Sequence, residues 1–227
     1  MHSKRLEAIA SLVNHNQKLA DIGTDHAYLP IDLVEKSVIS SAIAADIAEG
    51  PLNNAIENIQ HHQLDNQIST RLGNGLVPFS KEDNIEQVVI AGMGGKLIVD
   101  ILEEASQRQL YFDTLILEPN IGEEEVRQWL VAHQYEIIEE SIVKEGRHIY
   151  EIIKAEKSEN VVTYSEAELL FGPVLLQKKP ELFVQKWQHK AETLTNILGQ
   201  LKQHAENNQA KITEFEKTVK LIEQEVL

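Results

Sequence analysis

The sequence predicts an α/β protein in which a doubly wound, mostly parallel sheet closes with an antiparallel hairpin and is followed by a helical appendage. Three observations carry this. Short apolar runs alternate with amphipathic segments over about 150 residues, the mark of successive βαβ units. One run, Gln87 to Ala91 (QVVIA), is apolar without a break after Gln87, as a strand covered on both faces requires. Past Lys157 the apolar residues recur at spacings of four and three, which is a helical seam.

Taken in order, Leu6, Ile9, Ala10 and Val13 predict a helix over Lys4 to Val13. Lys18 to Ile22 reads as a strand stopped by Gly23, and Tyr28 to Lys36 as a helix. Ser41 to Ile47 is a second strand, and Gly50 to Gln63 a helix that Pro51 can start. Ile68 to Leu72 is a third strand before the turn Gly73-Asn74-Gly75. Gln87 to Ala91 then leads into a helix over Lys96 to Glu104, and Thr114 to Leu117 into Glu118-Pro119-Asn120 and a helix over Glu123 to His133. Tyr135 to Val143 and His148 to Ala155, joined by Lys144-Glu145-Gly146-Arg147, form the hairpin. Ser165 to Phe171 is a short helix broken by Gly172-Pro173. From Pro180 a long helix carries Phe183, Trp187, Ala191, Leu194, Leu198, Leu201 and Ala205. After Glu206-Asn207-Asn208-Gln209 the seam resumes at Ile212, Phe215, Val219, Ile222 and Val226. So narrow a seam favours a protruding antiparallel hairpin over two helices laid flat on the sheet domain. The expected boundaries are residues 1–157 and 158–227.

With 227 residues, 42% of them hydrophobic and 25% charged, the chain can bury a core, and global disorder is excluded. It contains no Cys, which excludes disulfides, zinc–thiolate sites and a cysteine nucleophile. Met1-His2-Ser3-Lys4-Arg5 leads into an amphipathic stretch rather than a signal-peptide core, and nowhere are 18 consecutive residues apolar. A soluble cytoplasmic protein without a membrane partner is expected. The net charge of −15 argues against a nucleic-acid partner, yet the excess is uneven: residues 1–157 carry −13, whereas Pro173 to Lys220 carries +3.

Ligands of doubly wound sheets bind at the carboxyl ends of the strands. The first such end is Asp21-Ile22-Gly23-Thr24-Asp25-His26, whose single glycine and flanking carboxylates disfavour a pyrophosphate and suit a ligand carrying ammonium or sulfonium charge. Asp46, 25 residues beyond Asp21, stands where a carboxylate takes both hydroxyls of an adenosine ribose, although a plain N-cap explains it too. Gly73-Asn74-Gly75 allows close passage of an adenine ring, with Asn74 at its polar edge. Ala91-Gly92-Met93-Gly94-Gly95-Lys96 leaves a wall without side chains. It fails as a Walker A loop, since Ile90 stands where the first glycine belongs and Leu97 follows Lys96. Glu118 and Asn120 put a carboxylate and an amide on the opposite rim. The nine His residues show no metal-ligand spacing, and there is no G-x-S-x-G elbow, so neither a metal site nor nucleophilic hydrolysis is expected.

Together DIGTDH, AAD, GNGL, AGMGG and EPN resemble the motifs of class I S-adenosylmethionine-dependent methyltransferases. They are most similar to the bacterial tRNA (adenine-22, N1)-methyltransferase family, TrmK. The resemblance implies a Rossmann-like, seven-stranded sheet with a C-terminal antiparallel coiled-coil hairpin, and transfer of a methyl group from S-adenosyl-L-methionine, leaving S-adenosyl-L-homocysteine, to N1 of adenine 22 of tRNA. It also implies cofactor-binding residues: Asp21, Gly23, Thr24 and Asp25 toward the methionine moiety, Asp46 and Ile47 toward ribose and adenine, and Asn74 and Gly75 toward adenine, with His26 among the cofactor-binding residues as well. Gly92, Met93 and Gly94 would floor the methyl-donor pocket. Many amino-methylating relatives carry an aromatic residue where Met93 stands, which leaves the partner that stacks the target base unidentified. Relatives often have Q-P-N where this chain has Glu118-Pro119-Asn120.

Adenine N1 carries an in-plane lone pair and no proton, so attack needs position rather than a base. Asn120, Glu118, Met93 and Asp25 are the candidate catalytic residues, with Glu118 or Asp25 offsetting the charge that grows on the base. Arg147, Lys178, Lys179, Lys186 and Lys190 are the candidate phosphate contacts, and a monomer is expected. A methyltransferase acting on a small amine or on protein, or a non-catalytic adaptor, are the competing readings.

Overall fold

The computed structural model describes residues 3–203 and 208–227. The chain divides into two compact units, Met1–Thr163 and Tyr164–Leu227. The first contains α1 (Lys4–Leu12), β1 (Leu19–Ile22), α2 (Tyr28–Glu35), β2 (Ala42–Asp46), α3 (Glu49–His61), β3 (Ile68–Leu72), β4 (Gln87–Gly94), α4 (Gly95–Gln107), β5 (Thr114–Ile121), α5 (Glu123–Ala132), β6 (Tyr135–Glu145) and β7 (His148–Lys157).

These seven strands form one sheet in the order β3-β2-β1-β4-β5-β7-β6. The first five are parallel and β7 runs antiparallel to both neighbours. Chain order reverses between β1 and β4, so the crevice of the fold opens at their carboxyl ends. All four residues of β1 are buried, and Val88, Val89 and Ile90 of β4 and Leu115, Ile116 and Leu117 of β5 are fully so, because helices cover both faces of this part of the sheet.

Four strands outrun their predicted ends: β6 and β7 by two residues each, so that Lys144 and Glu145 pair as strand rather than turn, and β4 and β5 by more. β4 continues through Gly92, Met93 and Gly94, and β5 through Glu118, Pro119 and Asn120, because the two go on pairing past Ala91 and Leu117 with irregular register: Ala91 opposite Glu118, Met93 opposite Pro119, Gly94 opposite Ile121. The glycine-rich segment and the Glu118-Pro119-Asn120 segment are thereby held side by side as sheet.

The second unit contains α6 (Glu166–Phe171), α7 (Pro173–Lys178), α8 (Glu181–Leu201) and α9 (Gln209–Glu225). Ser165 and Glu168 cap α6 reciprocally, and Pro173 starts α7, a helix that the sequence pattern does not reveal. On α8 the seam residues Phe183, Trp187, Ala191, Leu194 and Leu198 are buried, and Trp187 meets Phe171 edge to face at 4.6 Å. Lys202 pairs with Glu216 across to α9 at 2.6 Å. Met1, His2, seam position Ala205 and turn residues Glu206 and Asn207 lie outside the described residues.

Candidate active site

The turn after β1 is tied to the neighbouring strand, since the Gly23 and Thr24 amides donate to the Ala45 carbonyl at 2.8 and 2.9 Å. That turn needs glycine twice over. Gly23 has φ +74°, and a Cβ there would collide with Met93 Cε reaching over from β4. Asp21, at the end of β1, is only 7% exposed, and its Oδ2 accepts a 2.6 Å hydrogen bond from Thr24 Oγ1. Burial pushes its carboxyl pKa up to about 6; the Thr24 hydroxyl pulls it back, and the carboxylates of Asp25 and Asp46 add to the rise. Asp25 is exposed, with Oδ1 3.4 Å from His26 Nε2. A narrow crevice runs between Asp21, Gly23 and Asp25 on one side and Arg5, Leu6 and Ala91 on the other.

Asp46 is half-buried at the end of β2. Its Oδ1 accepts the Ala48 amide at 2.8 Å, and its carbonyl accepts from Gly73, tying the turns after β2 and β3 together. A carboxylate has acceptor capacity beyond one such bond, so the turn contact and a ligand contact are compatible. Ile47 is 67% exposed and Asn74 is exposed. Gly75 is buried, and a Cβ there would clash with Ile101 of α4; packing inside the protein accounts for this glycine without any ligand.

On the β4 and β5 side, Gly92 has φ +76° and donates its amide to Glu118 Oε2 at 2.9 Å. The same oxygen accepts Arg5 Nη1 at 3.0 Å. Glu118 is fully buried, and its Oε1 has no hydrogen-bond partner. Burial raises its pKa, while Arg5 and the Gly92 amide draw it down. Arg5 in turn lies over the Tyr150 ring at 5.4 Å from its centroid. Arg5 and Tyr150 escape a reading of the sequence because one sits on an ordinary amphipathic helix and the other in the hairpin, and nothing in the sequence marks Glu118 as a buried carboxylate in need of a cation. Gly94 faces open space, and Asn120 is exposed two residues beyond Glu118.

Asp21, Gly23, Thr24, Asp25, His26, Gly92, Met93, Gly94 and Glu118 thus converge on the point where strand order reverses, flanked by Asp46 and Ile47 at the end of β2. The crevice combines carboxylates with walls that lack a Cβ, which fits a flat adenosine bearing a cationic tail. The basic candidates divide differently: Arg147 is exposed in the β6–β7 turn, whereas Lys178, Lys179 and Lys190 are exposed on the second unit. Lys186 is half-buried, its Nζ 5.6 Å from the Trp187 ring. Among the described residues no cluster of three or more His, Asp or Glu could hold a metal ion, and no helix is long and apolar enough to cross a membrane.

Compared with known proteins, the chain matches the family described as TrmK, tRNA (adenine(22)-N(1))-methyltransferase, over residues 19–224. The tRNA (adenine(22)-N(1))-methyltransferase of Bacillus subtilis (strain 168) is 35% identical over 228 residues, which span 98% of this chain and 95% of that protein. A Streptococcus pneumoniae protein solved in complex with S-adenosyl-L-methionine is 39% identical with a TM-score of 0.90, each chain being covered in full at 100%. M. capricolum TrmK in complex with S-adenosyl-homocysteine is 35% identical with a TM-score of 0.83, over 98% of this chain and 99% of that one.

Proposed function

This chain belongs to the TrmK family of tRNA (adenine(22)-N(1))-methyltransferases, and from that premise we infer how its residues share the work. The enzyme methylates N1 of adenine 22 of tRNA. S-adenosyl-L-methionine, when bound, supplies a methyl group activated by the sulfonium charge and leaves as S-adenosyl-L-homocysteine.

In this reading Asp21, Gly23, Thr24 and Asp25 hold the methionine end. Asp46 accepts the ribose hydroxyls, with Ile47, Asn74 and Gly75 around the adenine, and Gly92, Met93 and Gly94 form the floor beneath the methyl group. The observation that carries the assignment is the buried Asp21 carboxylate, kept in place by Thr24 at a turn whose glycine leaves the wall bare. A positive ligand offsets the cost of that buried charge.

The acceptor nitrogen needs no base, so the remaining residues serve by position. Glu118 is a positioning residue: one oxygen is shared between Gly92 and Arg5, and no surface of the side chain is left to meet a base. Asn120 supplies the amide that orients the adenine. Met93, packed over Gly23, sets the depth to which the base enters. The target has to be unstacked from folded RNA, at a cost of a few kcal/mol. The appendage from residue 158 onward holds the tRNA body through Lys178, Lys179, Lys186 and Lys190, and Arg147 adds a contact from the catalytic domain. The enzyme acts in the cytoplasm, where tRNA is found, and as a monomer.

Incubation with unmodified tRNA and methyl-labelled cofactor, followed by mass mapping of the nucleosides, tests the reading. One 1-methyladenosine at position 22 is expected. Label at another position, or in no RNA at all, overturns it.

A further inference from the structure

The base that receives the methyl group must leave its stack, and nothing at Met93 can replace the lost stacking. Among the described residues of the first unit, most aromatic side chains are unsuited to do so. Phe79, Phe112, Trp129 and Tyr135 are buried. Tyr150 lies under the Arg5 guanidinium. Tyr111 is 47% exposed but precedes β5, at the amino edge of the parallel strands, and Lys157 Nζ covers its ring at 4.8 Å. That leaves Tyr28, 48% exposed, six residues beyond the end of β1 at the carboxyl edge.

Tyr28 does not stand alone. The His26 ring stacks against it, with centroids 5.3 Å apart and planes inclined by 23°. The backbone goes out of its way to achieve this. His26 and Ala27 both adopt the left-handed region, with φ of 54° and 55°, which residues other than glycine seldom occupy, still less in succession. Such strain persists only where surrounding contacts hold it, and it clusters at functional sites. Here Asn58 Nδ2 of α3 donates to the His26 carbonyl at 2.7 Å, and Ala27 is fully buried.

Tyr28 lines a cavity of about 840 Å³ together with Leu6 and Ile31, and Leu6 also lines the crevice of Asp21, Gly23 and Asp25, so the two spaces adjoin at that residue. Among the described residues the cavity wall carries three carboxylates, Asp32, Glu35 and Glu145; Asp32 pairs with Lys36 and Glu35 with His62, the one basic side chain in that wall, and the acidic balance favours a neutral base over a phosphate.

We propose that Tyr28, backed by His26, is the platform on which the acceptor adenine of tRNA stacks as it enters the crevice. This rests on the reading of the crevice as the site where tRNA is methylated. His26, grouped by resemblance with the cofactor residues, here serves the acceptor instead.

The test compares Tyr28→Phe with Tyr28→Leu in full-length protein, using unmodified tRNA and labelled S-adenosylmethionine, with cofactor affinity measured by calorimetry. Stacking on an aromatic ring predicts that the Leu variant loses about 10- to 100-fold in kcat/KM for tRNA while the Phe variant stays within about threefold of the parent. Both should keep the parent's cofactor affinity. As a second readout, 2-aminopurine at the acceptor position should be quenched on binding to the parent and the Phe variant, and less so on the Leu variant. Equal activity of the Leu and Phe variants, equal loss in both, or a loss of cofactor affinity in either overturns the proposal. Failure of the parent itself to label tRNA would strike the underlying functional reading instead.

Discussion

Asp21 links the pH dependence of cofactor binding to the stability of the unliganded protein. Its pKa is raised from 3.8 to about 6 by burial, and at 1.36 kcal/mol per unit this amounts to about 3 kcal/mol against the ionised form in the folded chain. A carboxyl whose folded pKa lies above its unfolded value favours folding while protonated. The unliganded protein should therefore lose stability as pH rises from about 4 through 6 and stay at the lower level above that. A cationic ligand beside Asp21 reverses the preference. Binding at pH 6 should release about half a proton, binding at pH 7 about a tenth, and affinity should be about tenfold weaker at pH 5 than at pH 7. Calorimetric titration with S-adenosylmethionine in two buffers of different ionisation enthalpy measures the release directly. Asp21→Asn should abolish it, flatten the affinity profile between pH 5 and 7, and weaken binding roughly 10- to 100-fold at pH 7, the scale of one charge-assisted hydrogen bond. The same variant, without ligand, should be more stable than the parent at pH 7. Proton release at pH 6 that survives in Asp21→Asn would refute the assignment of the titrating group, and no release from the parent would refute the argument as a whole.

Asp46→Ala should weaken cofactor binding by roughly 10- to 100-fold, on the scale of one charge-assisted hydrogen bond, with the fold intact by circular dichroism; unchanged affinity would remove Asp46 from the ribose site. Glu118→Gln should keep single-turnover methylation at saturating cofactor within about tenfold, since the amide oxygen can still accept from Gly92. Stabilisation of the charged base by the carboxylate would instead cost about 10²-fold, and a loss of that size would refute the positioning role. Arg127→Leu should destabilise the chain by about 3–5 kcal/mol in urea titration, because Arg127, fully buried, joins Glu140 at 2.9 Å and Glu151 at 2.6 Å and its removal takes the cation away from two buried carboxylates. A loss below about 1 kcal/mol would show that those carboxylates find other partners. A chain ending after Thr163 should bind cofactor and fail to methylate tRNA. In the full chain, each of Lys178→Ala, Lys179→Ala and Lys190→Ala should lower the salt slope of tRNA binding by about one; slopes unchanged in all three would exclude these phosphate contacts.

The sheet was legible because its strands are buried on both faces, and such strands advertise themselves as short, unbroken apolar runs. SAIAAD, QVVIA and TLIL needed no knowledge of partners to be read. Their ends were less legible. An apolar run stops at the first polar or glycine residue, not where a strand stops pairing, so β4 and β5 continue into residues that the pattern assigns to loops, although Glu118 and Pro119 are still buried. α7 was missed for a related reason: Gly172-Pro173 reads as a breaker, yet Pro173 occupies the first position of the next helix.

At the site, positions whose reason is written into their own neighbourhood stand out in the sequence. A glycine in a turn after a strand, or a carboxylate at a strand end, carries its reason locally. Arg5 does not, since its partner Glu118 lies 113 residues away and only the folded chain brings them together. Without Arg5 beside it, Glu118 reads as a bare negative charge facing the substrate. With Arg5 and the Gly92 amide on the same oxygen, the carboxylate is engaged inside the protein and ties the Gly92 backbone to the first helix. Tyr28 is the complementary case. Its ring was visible in DIGTDHAYLP all along, but its exposure, and the left-handed turn that stacks His26 behind it, exist only in the folded backbone.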